Sequence, residues 1–264
     1  MKHYIYICSF VILLAASSCD KLLDKEPTSQ VSPEKYLNDA SQLGYYANGL
    51  YTNILPSHSG YSLTFVKDQY TDNQAYITPN PIYIKDSWTV PANDSWNFKN
   101  IYDCNYFLER VLPRYEKGEV SGSTTEICQY IGEVLFLRAY EYFDLYQNYG
   151  DLPIVTNTLP DDQTVLTEAS KRFPRNEVAR FILSDLDKAL EMMPEQFESR
   201  HTRINRNCVL LLKSRVALYE GTFLKYFKGT PFVPQGEGWP GAQKEYSASY
   251  QIGRASCRER VFLP

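Results

Sequence analysis

One stretch constrains the fold more than any other. From Thr124 to Tyr149, apolar side chains return every three or four residues: Ile127, Ile131, Val134, Leu135, Tyr142, Leu145, Tyr146 and Tyr149. That spacing is one buried face of an α-helix. Gly150 follows as a C-terminal cap. Arg138 falls in the same stripe, and a guanidinium on an apolar face must be paired. Its expected partner is Glu133, Glu141 or a backbone carbonyl at a helix end. Its expected role is structural rather than ligand-binding.

Four further segments share the period. Ser32-Pro33-Glu34 reads as a helix start, with Ser as N-cap, Pro in the first turn and an acid near the positive end. Tyr36, Leu37, Ala40, Leu43, Ala47, Leu50, Tyr51 and Ile54 then line one face up to Pro56. A second helix is predicted from about Ser95 to Leu112, with Phe98, Ile101, Asn105, Leu108 and Leu112 on one side. Another runs from about Arg175 to Met193, ended by Pro194, and a last one from about Asn205 to Tyr219. Asn205 is a candidate cap for that last helix, and Gly221 follows its predicted end. Residues 118–122 form a turn. The stretch 151–172, with Pro153 and Pro160, reads as a loop. The predicted class is all-α, with paired antiparallel helices and long loops. Arg138-Ala139-Tyr140-Glu141-Tyr142 loosely echoes Arg215-Val216-Ala217-Leu218-Tyr219, without a strict 34-residue repeat.

The N-terminus differs from this body. Met1-Lys2-His3 is followed by an apolar run to Leu14, then Ala15-Ala16-Ser17-Ser18 and Cys19. This is the three-part pattern of a secretory signal, too short for a permanent membrane span of about 20 residues. A cysteine directly after small residues resembles the bacterial lipobox, although Ala16 stands where the strict pattern prefers Leu. On this reading residues 1–18 are a lipoprotein signal peptide and 19–31 a polar tether. Cys19 is the lipid-anchor residue, each buried lipid CH₂ contributing about 0.8 kcal/mol. The alternative is an ordinary signal cut near Ser18, with Cys19 incidental.

The opposite end is foreign in character. Ile252-Gly253-Arg254-Ala255-Ser256-Cys257-Arg258-Glu259-Arg260-Val261 matches, residue for residue, the translation of a common DNA-sequencing adapter. Residues 252–264 are therefore expected to be an artefact, and 32–251 to be the helical domain. Phe262-Leu263-Pro264 depart from the adapter reading. Resequencing the locus checks this, and an uninterrupted gene encoding this tail would overturn it.

Little in the chain specifies catalysis. It has no Gly-x-Ser-x-Gly, no phosphate loop and no His-Glu-x-x-His. Asp161-Asp162 could serve glycoside hydrolysis, but adjacent acids in a loop are ordinarily just solvated. With a net charge of −4 and no basic block, nucleic-acid binding has little support. Cys104, Cys128 and Cys208 read as buried free thiols, with one disulfide and a leftover thiol as the alternative. No cofactor or metal is expected. Residues 57–95 are rich in Ser, Thr, Asn, Asp, Pro and Tyr and have no sustained period. Long loops of this kind are often functional. Asp72, Asn73, Trp88, Asn93, Asp94 and Trp96 cluster there. An aromatic platform with carboxylates and amides around it is what a sugar ring needs. Trp96 also opens a helix and has a core reading.

Five segments, in order, resemble the SusD/RagB family of outer-membrane nutrient-binding lipoproteins. They are Cys19-Asp20-Lys21-Leu22-Leu23-Asp24-Lys25-Glu26-Pro27; Trp96 with Ile101-Tyr102-Asp103-Cys104-Asn105-Tyr106-Phe107-Leu108; Leu137 to Pro153, through Arg138-Ala139-Tyr140 and Tyr149-Gly150-Asp151; Ile182 to Ala189; and Arg215 to Thr222. In the second, Asp103 departs from the family's apolar spacing. The resemblance implies an all-α fold with tetratricopeptide-like helix pairs and ligand-facing loops. It implies a surface-exposed outer-membrane lipoprotein that captures glycans or other nutrients for a TonB-dependent (SusC-like) transporter, without turnover. Asp72-Asn73 resembles a pair on the family's ligand-facing side. Family chains are longer, so 32–251 is expected to be an N-terminal portion. A helical-repeat scaffold that binds only proteins is the alternative, and a hydrolase the third reading. Alanine at Trp88 and Asp72 separates the first two: unchanged ligand uptake favours the scaffold.

Overall fold

The computed structural model describes residues 36–56, 84–87, 97–197, 202–227 and 229–230. The lipid-anchor Cys19, the signal and tether, the candidate ligand residues Asp72, Asn73, Trp88, Asn93, Asp94 and Trp96, and the tail 252–264 lie outside these residues. Among the described residues there are six helices: α1 (Ala40–Ile54), α2 (Lys99–Glu116), α3 (Thr124–Tyr149), α4 (Gln163–Ala169), α5 (Arg175–Met192) and α6 (Arg206–Phe227). The class is all-α, as the periodicity predicts.

The five long helices alternate in direction. Tyr46 on α1 meets Phe107 on α2, while Tyr36 and Asn38, before α1, meet Arg114 near the end of α2. Cys128 and Tyr115 touch near the α2–α3 turn, and Asn105 meets Arg138 farther along. The Tyr142 ring lies edge-on to Phe181, with centroids 4.9 Å apart, so α5 runs back along α3. Arg206, at the start of α6, caps α5 by donating to the Met193 carbonyl at 2.9 Å and to that of Leu190. A cation suits the negative end of a helix.

Residues 131–139 of α3 are all buried, so neighbours enclose this helix on every side. It packs on α1, α2, α5 and α6. Gly132 permits the closest approach: a Cβ there would sit 2.5 Å from Met193 Cγ and 3.2 Å from the Ala189 carbonyl oxygen.

Three boundaries differ from the sequence expectation. Among the described residues the first helix starts at Ala40, so Tyr36 and Leu37 precede it, while the start expected at Ser32-Pro33-Glu34 lies outside the described residues. Asp39 is its N-cap, accepting the Gln42 amide at 2.9 Å. Leu37 is turned into the left-handed region (φ 64°) and is fully buried. That backbone costs about 1–2 kcal/mol, and burying a leucine returns about 1.5–3 kcal/mol. A two-bond bridge fixes the turn: the Ala40 amide donates to Ser121 O and the Ser121 amide to Asn38 O, each at 2.9 Å. Gly122 beside it has φ 116°, and a Cβ would lie 2.7 Å from that of Ala40. The second helix is displaced, starting at Lys99 and running through Pro113 to Glu116. The last helix runs through Gly221 to Phe227, because Glu220 and Leu224 on either side of that glycine are buried. Their burial outweighs the roughly 1 kcal/mol that glycine costs in a helix. Asn205 does serve this helix as predicted, its Oδ1 accepting the Cys208 amide at 3.1 Å.

Candidate functional site

Phe98, Ile101, Tyr102 and Asn105 stand three, four and seven residues apart on one face at the start of α2. They form one wall of a cavity of about 320 Å³. Pro153, Val155, Asn157 and Leu159 form the second wall, and Leu166, Ala169 and Ser170 of the α4 region the third. The sequence pattern predicts an unbroken loop over 151–172 and misses α4. Its one local signal is Asp162, which caps the helix by accepting the Thr164 and Val165 amides at 2.9 and 3.0 Å. Asp161 and Asp162 are both exposed.

Side chains of the helices pin the strap 153–159. Asn105 Nδ2 donates to Val155 O at 2.8 Å. The Tyr142 hydroxyl accepts the Val155 amide at 2.8 Å and donates to Val155 O at 3.2 Å. Burial pushes the Tyr142 hydroxyl up to about 12, so it stays protonated and able to donate. Farther along, Glu109 accepts from Thr158 Oγ1 at 2.6 Å and from the Thr158 amide at 2.8 Å. Those bonds, the hydroxyl's first, hold the Glu109 carboxyl below its usual range. A lowered carboxyl stabilises the fold above its unfolded value and loses that contribution as pH falls through the folded one. The Thr158 amide should therefore lose protection, measured against its intrinsic exchange rate, as the medium is acidified below the ordinary glutamate range, and protection that does not change on acidification would contradict the clip. Tyr142→Phe removes both bonds to Val155. It should cost about 1–3 kcal/mol and raise amide exchange at Val155 selectively.

Behind the strap lies the buried polar interior. Arg138 Nε and Nη2 reach the two carboxylate oxygens of Asp185 at 2.7 and 2.8 Å, and Nη1 reaches Asn105 Oδ1 at 2.8 Å. Arg138 is structural and paired, as expected, but its partner is Asp185. Neither Glu141 nor Glu133 takes that place. Glu133 is instead held by Arg203 at 2.7 and 2.5 Å and by Gln129 at 2.8 Å. A third unit joins Arg175 to Glu220 at 3.0 Å and to the Tyr146 hydroxyl at 2.6 Å, with Tyr146 also donating to Glu220. Arg215, the counterpart of Arg138 in the loose repeat, is exposed, so the echo is not one of role. The periodicity puts Asn105 on the inward side of its helix. The structure adds that it couples the Arg138 pair to the cavity wall.

Among the described residues no group of three His, Cys, Asp or Glu could hold a metal ion, and no helix is long and apolar enough to cross a membrane. The three body cysteines are free thiols. Cys104 is buried, and burial pushes its thiol well above the usual range. Cys128 is half-buried, its thiol donating to the Tyr115 hydroxyl at 3.1 Å. Cys208 is exposed, against the expectation of burial. A thiol reagent on the folded protein should label Cys208 first and Cys104 only on unfolding. Rapid labelling of Cys104 would contradict this packing.

Residues 21–218 match a family of SusD-like proteins described as starch-binding and associating with the outer membrane. Two similar proteins come from Formosa agariphila. SusD-like protein P38 is 26% identical over 227 residues, which are 80% of this chain and 42% of that protein. SusD-like protein P2 is 25% identical over 248 residues, 90% of this chain and 47% of that protein. The chain thus spans less than half the length of these relatives. A SusD homologue from Bacteroides thetaiotaomicron has a similar structure, with TM-score 0.54 and 19% identity over 88% of this chain and 42% of that one. So does a SusD-like carbohydrate-binding protein from Bacteroides fragilis, with TM-score 0.52 and 18% identity over 71% and 38% of the two chains. At such identities the likeness establishes the fold, an arrangement of tetratricopeptide-like helix pairs.

Proposed function

This chain belongs to the SusD-like family, and from that premise we propose that it captures glycan at the outer membrane without turning it over. The match of residues 21–218 to a starch-binding, outer-membrane-associating family carries the reading. In the finer form of the proposal, lipid on Cys19 anchors the protein on the cell surface. A TonB-dependent, SusC-like transporter receives the ligand. Asp72, Asn73, Trp88, Asn93 and Trp96 contribute to the site, offering ring faces and amides to the sugar. Three features support the proposal: the signal-like N-terminus, the aromatic and amide content of 57–96, and a body of packed helices on either side of that segment.

The test is calorimetric titration of the protein expressed from its native gene against a glycan panel, with affinity capture of the transporter from membranes. Binding without release of reducing sugar is the expected result. No heat with any glycan and no captured transporter would overturn the proposal, and sugar release would make the protein an enzyme. Cys19→Ala should move the protein out of the membrane fraction.

A further inference from the structure

We propose that the cavity between the start of α2, the strap 153–159 and α4 is a binding site for a neutral two-ring aromatic compound carrying one hydroxyl, its rings among Phe98, Ile101 and Pro153 and its hydroxyl at Tyr102 and Asn157 in the mouth. The site is separate from the loop residues offered above to glycan, and it takes a ligand of another class.

The cavity is held open by its own walls. Protein interiors close-pack, and voids larger than a water molecule are few. This one has a volume of about 320 Å³, well above the ~150 Å³ of an apolar cavity that takes a benzene. Its second wall is tied from behind: Asn105 and Tyr142 both bond Val155, and Glu109 bonds Thr158. Those bonds keep the strap from falling inward to fill the space. The third wall stands off as well. The helix α4 buries none of its side chains, and its first turn is held by the Asp162 cap rather than by packing. Leu166 lines the cavity yet is 39% exposed. A ligand in the cavity would cover it.

Burial sorts the lining by depth. Ile101 and Pro153 are buried, Phe98 and Val155 half-buried, and Tyr102 and Asn157 exposed at the mouth. Most polar atoms of the lining are already engaged. Asn105 spends its amide on the strap and its Oδ1 on Arg138. Ser170 donates its hydroxyl to the Leu166 carbonyl at 2.6 Å. Two groups are left, both at the mouth. Among the described residues the Tyr102 hydroxyl has no hydrogen-bond partner, and the Asn157 side chain reaches only the carbonyl of its neighbour Thr158, at 3.5 Å. The matching ligand has an apolar body and one group at its outer end that both donates and accepts. The walls favour an aromatic body. Phe98 and Tyr102 stand one turn apart on α2. The Phe98 ring is edge-on to Tyr142 with centroids 6.2 Å apart, and the Tyr102 ring is tilted on Tyr106 at 6.5 Å. Both rings are therefore oriented before a ligand arrives, and aromatic pairs contribute beyond the area they bury. An anion would fit poorly: the exposed carboxylates Asp161 and Asp162 follow the strap into α4, and like charges repel.

Calorimetry on the protein expressed from its native gene tests this with three two-ring probes: naphthol, its fully hydrogenated counterpart decahydronaphthol, and the anion naphthoate. Naphthol should bind about tenfold more tightly than either, the scale of one good contact. Ala169→Phe puts a ring into the cavity from α4 and should weaken naphthol binding at least tenfold. Tyr102→Phe removes only the unpartnered hydroxyl and should weaken it about fivefold, the worth of one hydrogen bond. Both variants should keep the wild-type unfolding midpoint, since α4 buries no side chain and Tyr102 is 48% exposed. Should Ala169→Phe unfold the protein, Tyr102→Phe decides alone. No binding of naphthol, or wild-type binding by either folded variant, overturns the site. Decahydronaphthol binding as tightly as naphthol overturns the aromatic class, and naphthoate binding as tightly overturns the neutral one. No probe contains a sugar, so each of these results leaves the glycan reading to its own test.

Discussion

Asp185→Ala is expected to cost about 3–5 kcal/mol of folding stability, a large share of the roughly 5–15 kcal/mol available to a typical domain. Asp185 is fully buried and Arg138 is 5% exposed, so neither charge can turn to water. Asp185 supplies both oxygens to the guanidinium. Removing it leaves an unpaired cation between α2, α3 and α5, with only Asn105 and the ring of Phe181, 5.4 Å away, beside it. The penalty comes from the orphaned charge more than from the lost bonds. The double variant Arg138→Met with Asp185→Leu should therefore recover most of the loss. Urea unfolding of the three proteins decides the matter. A single variant as stable as wild type, or a double variant no better than the single, would refute the account. Strap exchange at Val155 should rise in the double variant, where Asn105 loses the arginine that orients it.

Gly132→Leu should be comparably damaging, by about 3 kcal/mol, the upper end of overpacking. The α3–α5 contact is the most extensive between any two of the described helices. Where α3 meets the C-terminal end of α5, a Cβ on residue 132 already collides with Met193 Cγ and presses the Ala189 carbonyl. The methionine can swing away, but the backbone carbonyl has nowhere to go without separating the helices. Gly132→Ala should cost less than the leucine, because its Cβ makes the same two contacts without the leucine's further atoms. Its helix-propensity gain of about 1 kcal/mol is offset by the displaced methionine. Thermal unfolding of both variants checks the pair. A leucine variant with an unchanged midpoint would show that the helices are not locked there.

Long, strongly periodic segments were legible from the sequence, and short or tertiary-dependent features were not. The helix Thr124–Tyr149 has its predicted ends, because a turn precedes it and Gly150, with φ 73°, stops it. Arg175 and Asn205 also mark their helix starts as expected. Residues 36–39 carried a helical pattern yet are turned, since Leu37 reaches the core only from a left-handed backbone. Gly221 looked like a stop, but its neighbours are anchored from outside the helix. The seven residues of α4 bury none of their side chains, so no periodicity could announce them. The cavity was illegible for a related reason. Its walls come from α2, a strap some 50 residues later and α4, and only packing brings them together.

The sequence by itself determined that this protein is helical, which faces turn inward, and that an arginine in one of those faces must be neutralised. These are properties of neighbours along the chain, set by a period of 3.6 residues and by the cost of an unpaired buried charge. Which carboxylate answers Arg138 was decided only by the tertiary structure. Glu133 and Glu141 are nearer in sequence, but Asp185, 47 residues away, sits across the α3–α5 contact at bonding distance. Spacing along one helix says which side a residue occupies. Only the docking of a second helix says what stands opposite.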